Sequence, residues 1–267
     1  MKKFFFYRVI NGVWHRLSAW NTSGEGIHSP SLFYLVRFLF PRVHRYYRWA
    51  EIEDERDRRL RSSQVIPVTD YGTGTDTALK VSSIAATHLE QPAAGELFFK
   101  LIVHLKHELN RPLNIVELGT SLGITTAYLA APHSANRVTT YEGNPATLKL
   151  AQETWKKLGL KNITSVLGNI DDTLLNNTHT GEEKIDFVFV DANHRQEPTI
   201  QYVMHFLPRL HDRSIVVVDD LYHSPEMTRA WKQLCDLDQV TSTINGYHFG
   251  LLFFDPHLLK RHYRIRI

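Results

Sequence analysis

Asn114-Ile115-Val116-Glu117-Leu118-Gly119-Thr120-Ser121-Leu122-Gly123 is the stretch that decides the fold. Its first five residues have strand character and pass without a break through small residues into a helical pattern over Gly123–Ala131, the opening of a βαβ unit. Downstream the alternation repeats. Strands are predicted at Arg137–Glu142, Ile163–Leu167, Asp186–Asp191 and Ser214–Asp219, with helices near Pro145–Leu158, Asp171–Asn177, Pro198–Leu210 and after Pro225. Val240–Ile244 and Tyr247–Phe254 then flank Asn245-Gly246, a strong hairpin signal, so an antiparallel pair closes the sheet. The expected fold is α/β: a Rossmann-like, doubly wound, mainly parallel seven-stranded sheet ending in a hairpin, with an N-terminal helical extension.

Three zones follow from the pattern. Residues 1–66 read as a basic, aromatic-rich extension of helical pieces, broken at Asn21–Gly26 and at Pro30 and Pro41. Residues 67–110 read as a connector, with a polar loop over Asp70–Thr77 and helices over Ala78–Leu89 and Gly95–Leu109. Residues 111–267 form the α/β domain. Asp70-Tyr71-Gly72-Thr73-Gly74-Thr75 imitates a second glycine-rich loop, but no βα alternation follows it.

Composition narrows the class. The chain has 267 residues, 43% of them hydrophobic, enough for one α/β domain with an appended segment. Its one cysteine, Cys235, can close no intrachain disulfide, so a cytoplasmic location is expected. Arg8 interrupts the apolar start and no small-residue cleavage site follows, which argues against a secretion signal. Ser31–Phe40 is too short for a transmembrane segment and contains Arg37.

Charge is uneven: residues 1–67 hold 12 Lys/Arg and 6 Asp/Glu, against 19 and 22 over residues 68–267. Interleaved aromatics make the basic part compatible with nucleic acid, an anionic membrane surface, or a helical cap with solvated charges. Six acids, five of them from Glu51 to Asp57, offset half of that basic charge and favour the cap, expected to wall an acceptor pocket or to make a homodimer contact. No RNA-binding module is legible, so nucleic acid is not an expected partner.

The chemistry concentrates at predicted strand ends. A helix N-terminus behind Gly119–Gly123 offers free N–H groups, and Glu142, at the end of the second strand, is placed to accept from both hydroxyls of a ribose. Ser121 stands where a dinucleotide fingerprint needs its second glycine, which disfavours a pyrophosphate. Glu117 repels phosphate and suits a cationic ligand carrying an ammonium or sulfonium. Together these features point to S-adenosylmethionine. Asp191, Asp219 and Asp220 cluster at the ends of the fourth and fifth strands, a set able to hold one oxygen-preferring divalent cation.

Val116–Gly123, Thr140-Tyr141-Glu142-Gly143-Asn144, Gly168-Asn169, Val190-Asp191-Ala192-Asn193-His194 and Val218-Asp219-Asp220 occur in the order and spacing of class I S-adenosylmethionine-dependent methyltransferases. Residues 111–255 most resemble the small-molecule O-methyltransferases of the catechol and caffeoyl-CoA type. The resemblance implies that Glu117, Gly119, Ser121 and Gly123 serve the methionine end of the cofactor, Glu142 the ribose and Asn169 the adenine edge, where the family more often has Asp. It also implies that Asp191, Asp219 and Asp220 bind Mg2+ or another divalent cation, with Asp220 in place of the family's Asn. Asp191 is further placed to hold the cofactor's amino group. His194 occupies the position of a lysine general base, and its imidazole suits proton transfer near neutral pH, so Asp191 and His194 are the catalytic candidates. The implied activity is methyl transfer to a small-molecule acceptor through a hydroxyl. Its alternatives are metal-independent N-methyl transfer and a non-catalytic nucleoside-binding protein on the same fold. His28, His223 and His248 show no ligand spacing and are assigned no chemistry.

Overall fold

The computed structural model describes residues 4–41, 45–70, 75–176 and 183–267. They form two compact units, one built from residues 42–182 and the other from residues 1–41 together with 183–267.

The discontinuous unit begins with α1 (Phe5–Ser18) and α2 (Pro30–Tyr34), which runs into a π-helical turn over Leu35–Leu39. Pro30 starts α2 where the sequence predicts a break. A proline at the first helical position gives up no hydrogen bond, and Ser29 Oγ caps the helix by accepting from Leu32 N. The polar side of α1 is docked onto its own unit. Tyr7 donates its hydroxyl to Thr228 Oγ1 (2.7 Å), Asn245 O accepts from His15 Nε2 (3.1 Å), and Ser18 Oγ accepts from Arg264 (3.0 Å).

The continuous unit runs α3 (Tyr47–Leu60), β1 (Val65–Asp70), β2 (Thr75–Lys80), α4 (Val81–His88), α5 (Pro92–Leu109), β3 (Asn114–Leu118), α6 (Ile124–Ala130), β4 (Arg137–Glu142), α7 (Pro145–Lys157), β5 (Ile163–Leu167) and α8 (Ile170–Asn176). β3, β4 and β5 are parallel, with Val116 opposite Thr139 and Thr140 opposite Ser165. The expected connector loop is instead an antiparallel hairpin of β1 and β2. Ile66 faces Leu79 across it, and both pack with Ile84, Leu122 and Leu150, so burial of one face holds a pair that its polar residues conceal. Residues 71–74 of the glycine-rich loop lie outside the described residues.

Trp49, Ile52, Phe99, Ile124, Tyr128 and Trp155 form a second core of this unit. The acidic and basic run in α3 is only partly solvated, contrary to the expectation of a solvated cap. Glu55 and Arg59 are buried: Glu55 pairs with Arg58 and Lys157, and Arg59 donates to Leu150 O (2.5 Å) and Thr154 Oγ1 (3.0 Å). Buried charges persist only when paired and hydrogen-bonded, as these are.

The chain then returns to the discontinuous unit with β6 (Phe187–Val190), α9 (Gln196–Phe206), a 3₁₀ turn over Leu207–Arg209, β7 (Ile215–Val218), α10 (Pro225–Asp236), β8 (Ser242–Asn245), β9 (Gly250–Phe253) and β10 (Arg261–Arg264). β6 and β7 are parallel and every residue in them is buried, as their unbroken Val, Ile and Phe content requires. β9 is antiparallel to both β7 and β8. β3 to β9 are the seven expected strands, and β10, parallel to β8, is an eighth.

The closing hairpin has a longer turn than Asn245-Gly246 predicts. Asn245 pairs with Gly250, leaving Gly246–Phe249 as the loop. Tyr247, not Gly246, takes the left-handed conformation (φ 78°), and Asn245 Oδ1 accepts its N–H (3.0 Å). No helix among the described residues is long and apolar enough to cross a membrane.

Candidate functional site

In the continuous unit, the turn after β3 is a run of left-handed residues: Gly119 (φ 100°), Ser121 (φ 50°) and Gly123 (φ 76°). Thr120, Leu122 and Gly123 are buried, and Gly119 and Ser121 are half-buried, so the loop reaches solvent only at those two positions. Glu142, at the end of β4, pins it. One carboxylate oxygen accepts from Ser121 N (2.8 Å) and the other from Asn144 N (2.8 Å). Burial pushes the Glu142 carboxyl up, against these N–H bonds. Asn144 caps α7 by accepting from Ala146 N and Thr147 N, so one short segment fixes the strand end, the loop and the helix start.

Glu117 is wholly buried. Its Oε2 accepts from Thr126 Oγ1 (2.5 Å) and Thr140 Oγ1 (2.6 Å), and Thr140 Oγ1 also meets Thr120 Oγ1 (2.5 Å). The carboxylate expected to meet a cationic ligand thus ties β3 to α6 and β4. Asn169 is half-buried behind Gly168 (φ 140°), and its Oδ1 accepts from Asp171 N (3.2 Å) at the start of α8. The structure therefore brings Gly119, Ser121, Gly123 and Glu142 together, while Glu117 lies beneath them.

In the discontinuous unit, oxygens of Asp191 and Asp219 lie within 4.8 Å of one another, beyond the ends of β6 and β7. Asp220 turns to a different set of partners. Its Oδ2 lies 3.1 Å from His223 Nδ1 and 3.8 Å from His194 Nδ1, and its Oδ1 lies 3.9 Å from Arg8 Nη2. Burial pushes the Asp220 carboxyl up, but the His223 hydrogen bond and the charges of His194, His223 and Arg8 outweigh it and hold it below the usual Asp value.

His194 is half-buried, with Nε2 3.7 Å from Asp191 Oδ1, and its ring stacks on His223 at 5.2 Å and 19°. Asn193 (φ 65°), His194 (φ 45°) and Asp220 (φ 53°) are all left-handed. Such conformations cost energy in residues other than glycine and gather where geometry serves function.

Residues 116–221 match a family model described as a methyltransferase domain. That stretch is a methyltransferase domain. Among curated proteins none matches the chain by sequence. Among solved structures, the cofactor-bound Rv0187 from MTB is 18% identical, with a TM-score of 0.58 over 80% of this chain and 92% of that one. An O-methyltransferase from Bacillus cereus, in complex with SAH, is 16% identical with a TM-score of 0.57, over 79% and 92%. The O-methyltransferase TomG from Streptomyces achromogenes, in complex with SAM, is 23% identical with a TM-score of 0.52, over 62% and 81%. The fold is the Rossmann-like fold of S-adenosylmethionine-dependent O-methyltransferases.

Within the methyltransferase domain, Thr126 and Thr140 are residues that sequence reasoning missed, and the hydroxyls beside a buried strand-end acid were the available signal. His223, just beyond it, was also missed. It lies 29 residues from His194 in sequence, and no ligand spacing links the two.

Proposed function

We propose that this methyltransferase takes its methyl group from S-adenosylmethionine and delivers it to a hydroxyl of a small-molecule acceptor. The observation that carries the cofactor assignment is the Glu142 carboxylate, which pins the left-handed Gly119–Gly123 loop while its remaining lone pairs suit two ribose hydroxyls. The loop and its following helix N-terminus suit the methionine carboxylate. Gly119, Ser121 and Gly123 hold that end, Glu142 the ribose and Asn169 the adenine edge. The solved relatives in complex with SAM and SAH support the reading. When bound, the cofactor supplies an electrophilic methyl group on sulfur.

The chain's own residues supply the base. His194 takes the hydroxyl proton, and the carboxylates of Asp191 and Asp220, 3.7 and 3.8 Å from its ring nitrogens, stabilise the imidazolium that forms. Asp191 and Asp219 are the residues that would hold a divalent cation, which would lower the acceptor's pKa. Engagement of Asp220 by two histidines and Arg8 favours a second reading, in which no cation is used and the acids position the acceptor.

Titration calorimetry with S-adenosylmethionine and with NAD, each with magnesium and then a chelator, tests both readings. Selective S-adenosylmethionine binding, lost in Glu142→Ala while the far-UV spectrum is retained, is the expected result. Binding of NAD in preference would overturn the cofactor assignment. Turnover indifferent to the chelator would select the cation-free reading, and His194→Ala turning over at the wild-type rate would remove the base.

A further inference from the structure

α1 is an amphipathic helix mounted the wrong way round for a globular protein. Its polar positions, Tyr7, Arg8, His15 and Ser18, are the ones that engage the discontinuous unit, through Thr228, Asp220, Asn245 and Arg264. Its apolar positions, Phe6, Val9, Ile10, Val13, Trp14 and Leu17, face solvent, with Phe6 79%, Ile10 66% and Leu17 78% exposed. Their spacing of three and four residues places them on one continuous stripe. Trp20, 65% exposed, extends the patch just past the helix end. An apolar stripe of this kind is costly in water and marks a surface that something covers.

Charge indicates what covers it. Residues 1–41 carry five basic side chains, Lys2, Lys3, Arg8, Arg16 and Arg37, against one acid, Glu25. Arg16 is exposed and falls at the margin of the apolar stripe, where a long side chain can lie along apolar surface and keep its charge in water. A second copy of the chain would bring the same positive charge to the stripe. A bilayer with anionic headgroups supplies the opposite charge together with an apolar interior for the stripe. Aliphatic and Phe side chains enter the boundary of the acyl region, Trp14 and Trp20 suit the interface, and basic residues attract the headgroups.

We propose that α1 lies in the plane of an anionic lipid surface and docks this protein to it. The inference is independent of the cofactor and acceptor assignments. The test is flotation of the full-length protein with vesicles of phosphatidylcholine alone and of phosphatidylcholine with an equal amount of phosphatidylglycerol.

Binding to the anionic vesicles at least about tenfold stronger than to the neutral ones, and weakened by salt, is the expected result. The double substitution Ile10→Glu and Leu17→Glu lowers that binding about tenfold or more while leaving the circular dichroism spectrum and Tm in place, because both side chains are exposed. Arg16→Glu, which leaves the apolar stripe intact, reduces the preference for anionic vesicles. Failure to float with either vesicle at millimolar lipid overturns the proposal. So does a concentration-dependent doubling of mass that the double substitution abolishes, since a second copy would then cover the stripe.

Discussion

Gly123→Ala should be among the most damaging single-methyl changes in the chain, and Gly159→Ala isolates the reason. Both glycines are left-handed, at φ 76° and 68°, so both substitutions pay the same backbone penalty of about 1–2 kcal/mol. The surroundings differ. A Cβ at Gly123 would lie 2.5 Å from Trp155 Nε1, 2.8 Å from Ala151 Cβ and 3.0 Å from Ala151 Cα, whereas a Cβ at Gly159 meets nothing within 4 Å. Trp155 and Ala151 belong to the buried core of the continuous unit, so forcing them apart adds about 1–3 kcal/mol. Displacing Trp155 also lengthens the bond from its Nε1 to Gly123 O, now 3.0 Å, at about 1 kcal/mol. The expected totals are about 3–6 kcal/mol for Gly123→Ala and about 1–2 kcal/mol for Gly159→Ala. Urea unfolding followed by tryptophan fluorescence reads both. Equal losses in the two variants would refute the packing argument, because only the neighbours distinguish the sites.

Thr140→Val removes one of the two hydroxyls donating to the buried Glu117 carboxylate, and thermal unfolding should show a loss of about 1–3 kcal/mol. Burial lowers the His15 pKa below its usual 6.5, so its stabilising contribution is complete above that value and lost as pH falls through the lower folded one. Urea midpoints should therefore drop between pH 7 and pH 5, and less steeply in His15→Gln. The Asp220 carboxyl is held below its usual 3.8, so the stability difference between wild type and Asp220→Asn should be full at pH 7 and shrink as pH falls through the folded value. A difference unchanged in acid would remove the histidine and arginine partners as its cause.

Much of the fold was legible because period and punctuation agree. β3, β4 and β5 fall where the sequence predicts them, and Pro145 and Pro225 begin helices behind the caps Asn144 and Ser224. The hairpin over residues 65–80 was not, because Pro67, Thr69 and Thr77 dilute the apolar alternation and only the packing of Ile66 and Leu79 reveals a face. β10 escaped notice for a similar reason, its four residues holding three charged or imidazole side chains around Tyr263. At the site, the loop and its acid were readable from local order, whereas the His194–His223 stack depends on two turns brought together by β6 and β7. Glu117 was identified as a chemical group, but burial beneath its own loop has no sequence signature.

A unit assembled from the first 41 residues and the last 85 imposes a timetable on synthesis. The partners that α1 grips lie 212 to 246 residues further along, so at ordinary translation rates they emerge roughly 10–50 s after it. Residues 42–182 leave the ribosome complete while α1 still waits for Thr228, Asn245 and Arg264. Throughout that interval Tyr7, His15 and Ser18 lack their partners, while the apolar stripe is already as open to a lipid surface as it is in the finished fold. The newborn α1 is thus a helix with one face ready and the other unanchored, and the emergence of β10 determines when it is finally locked in place.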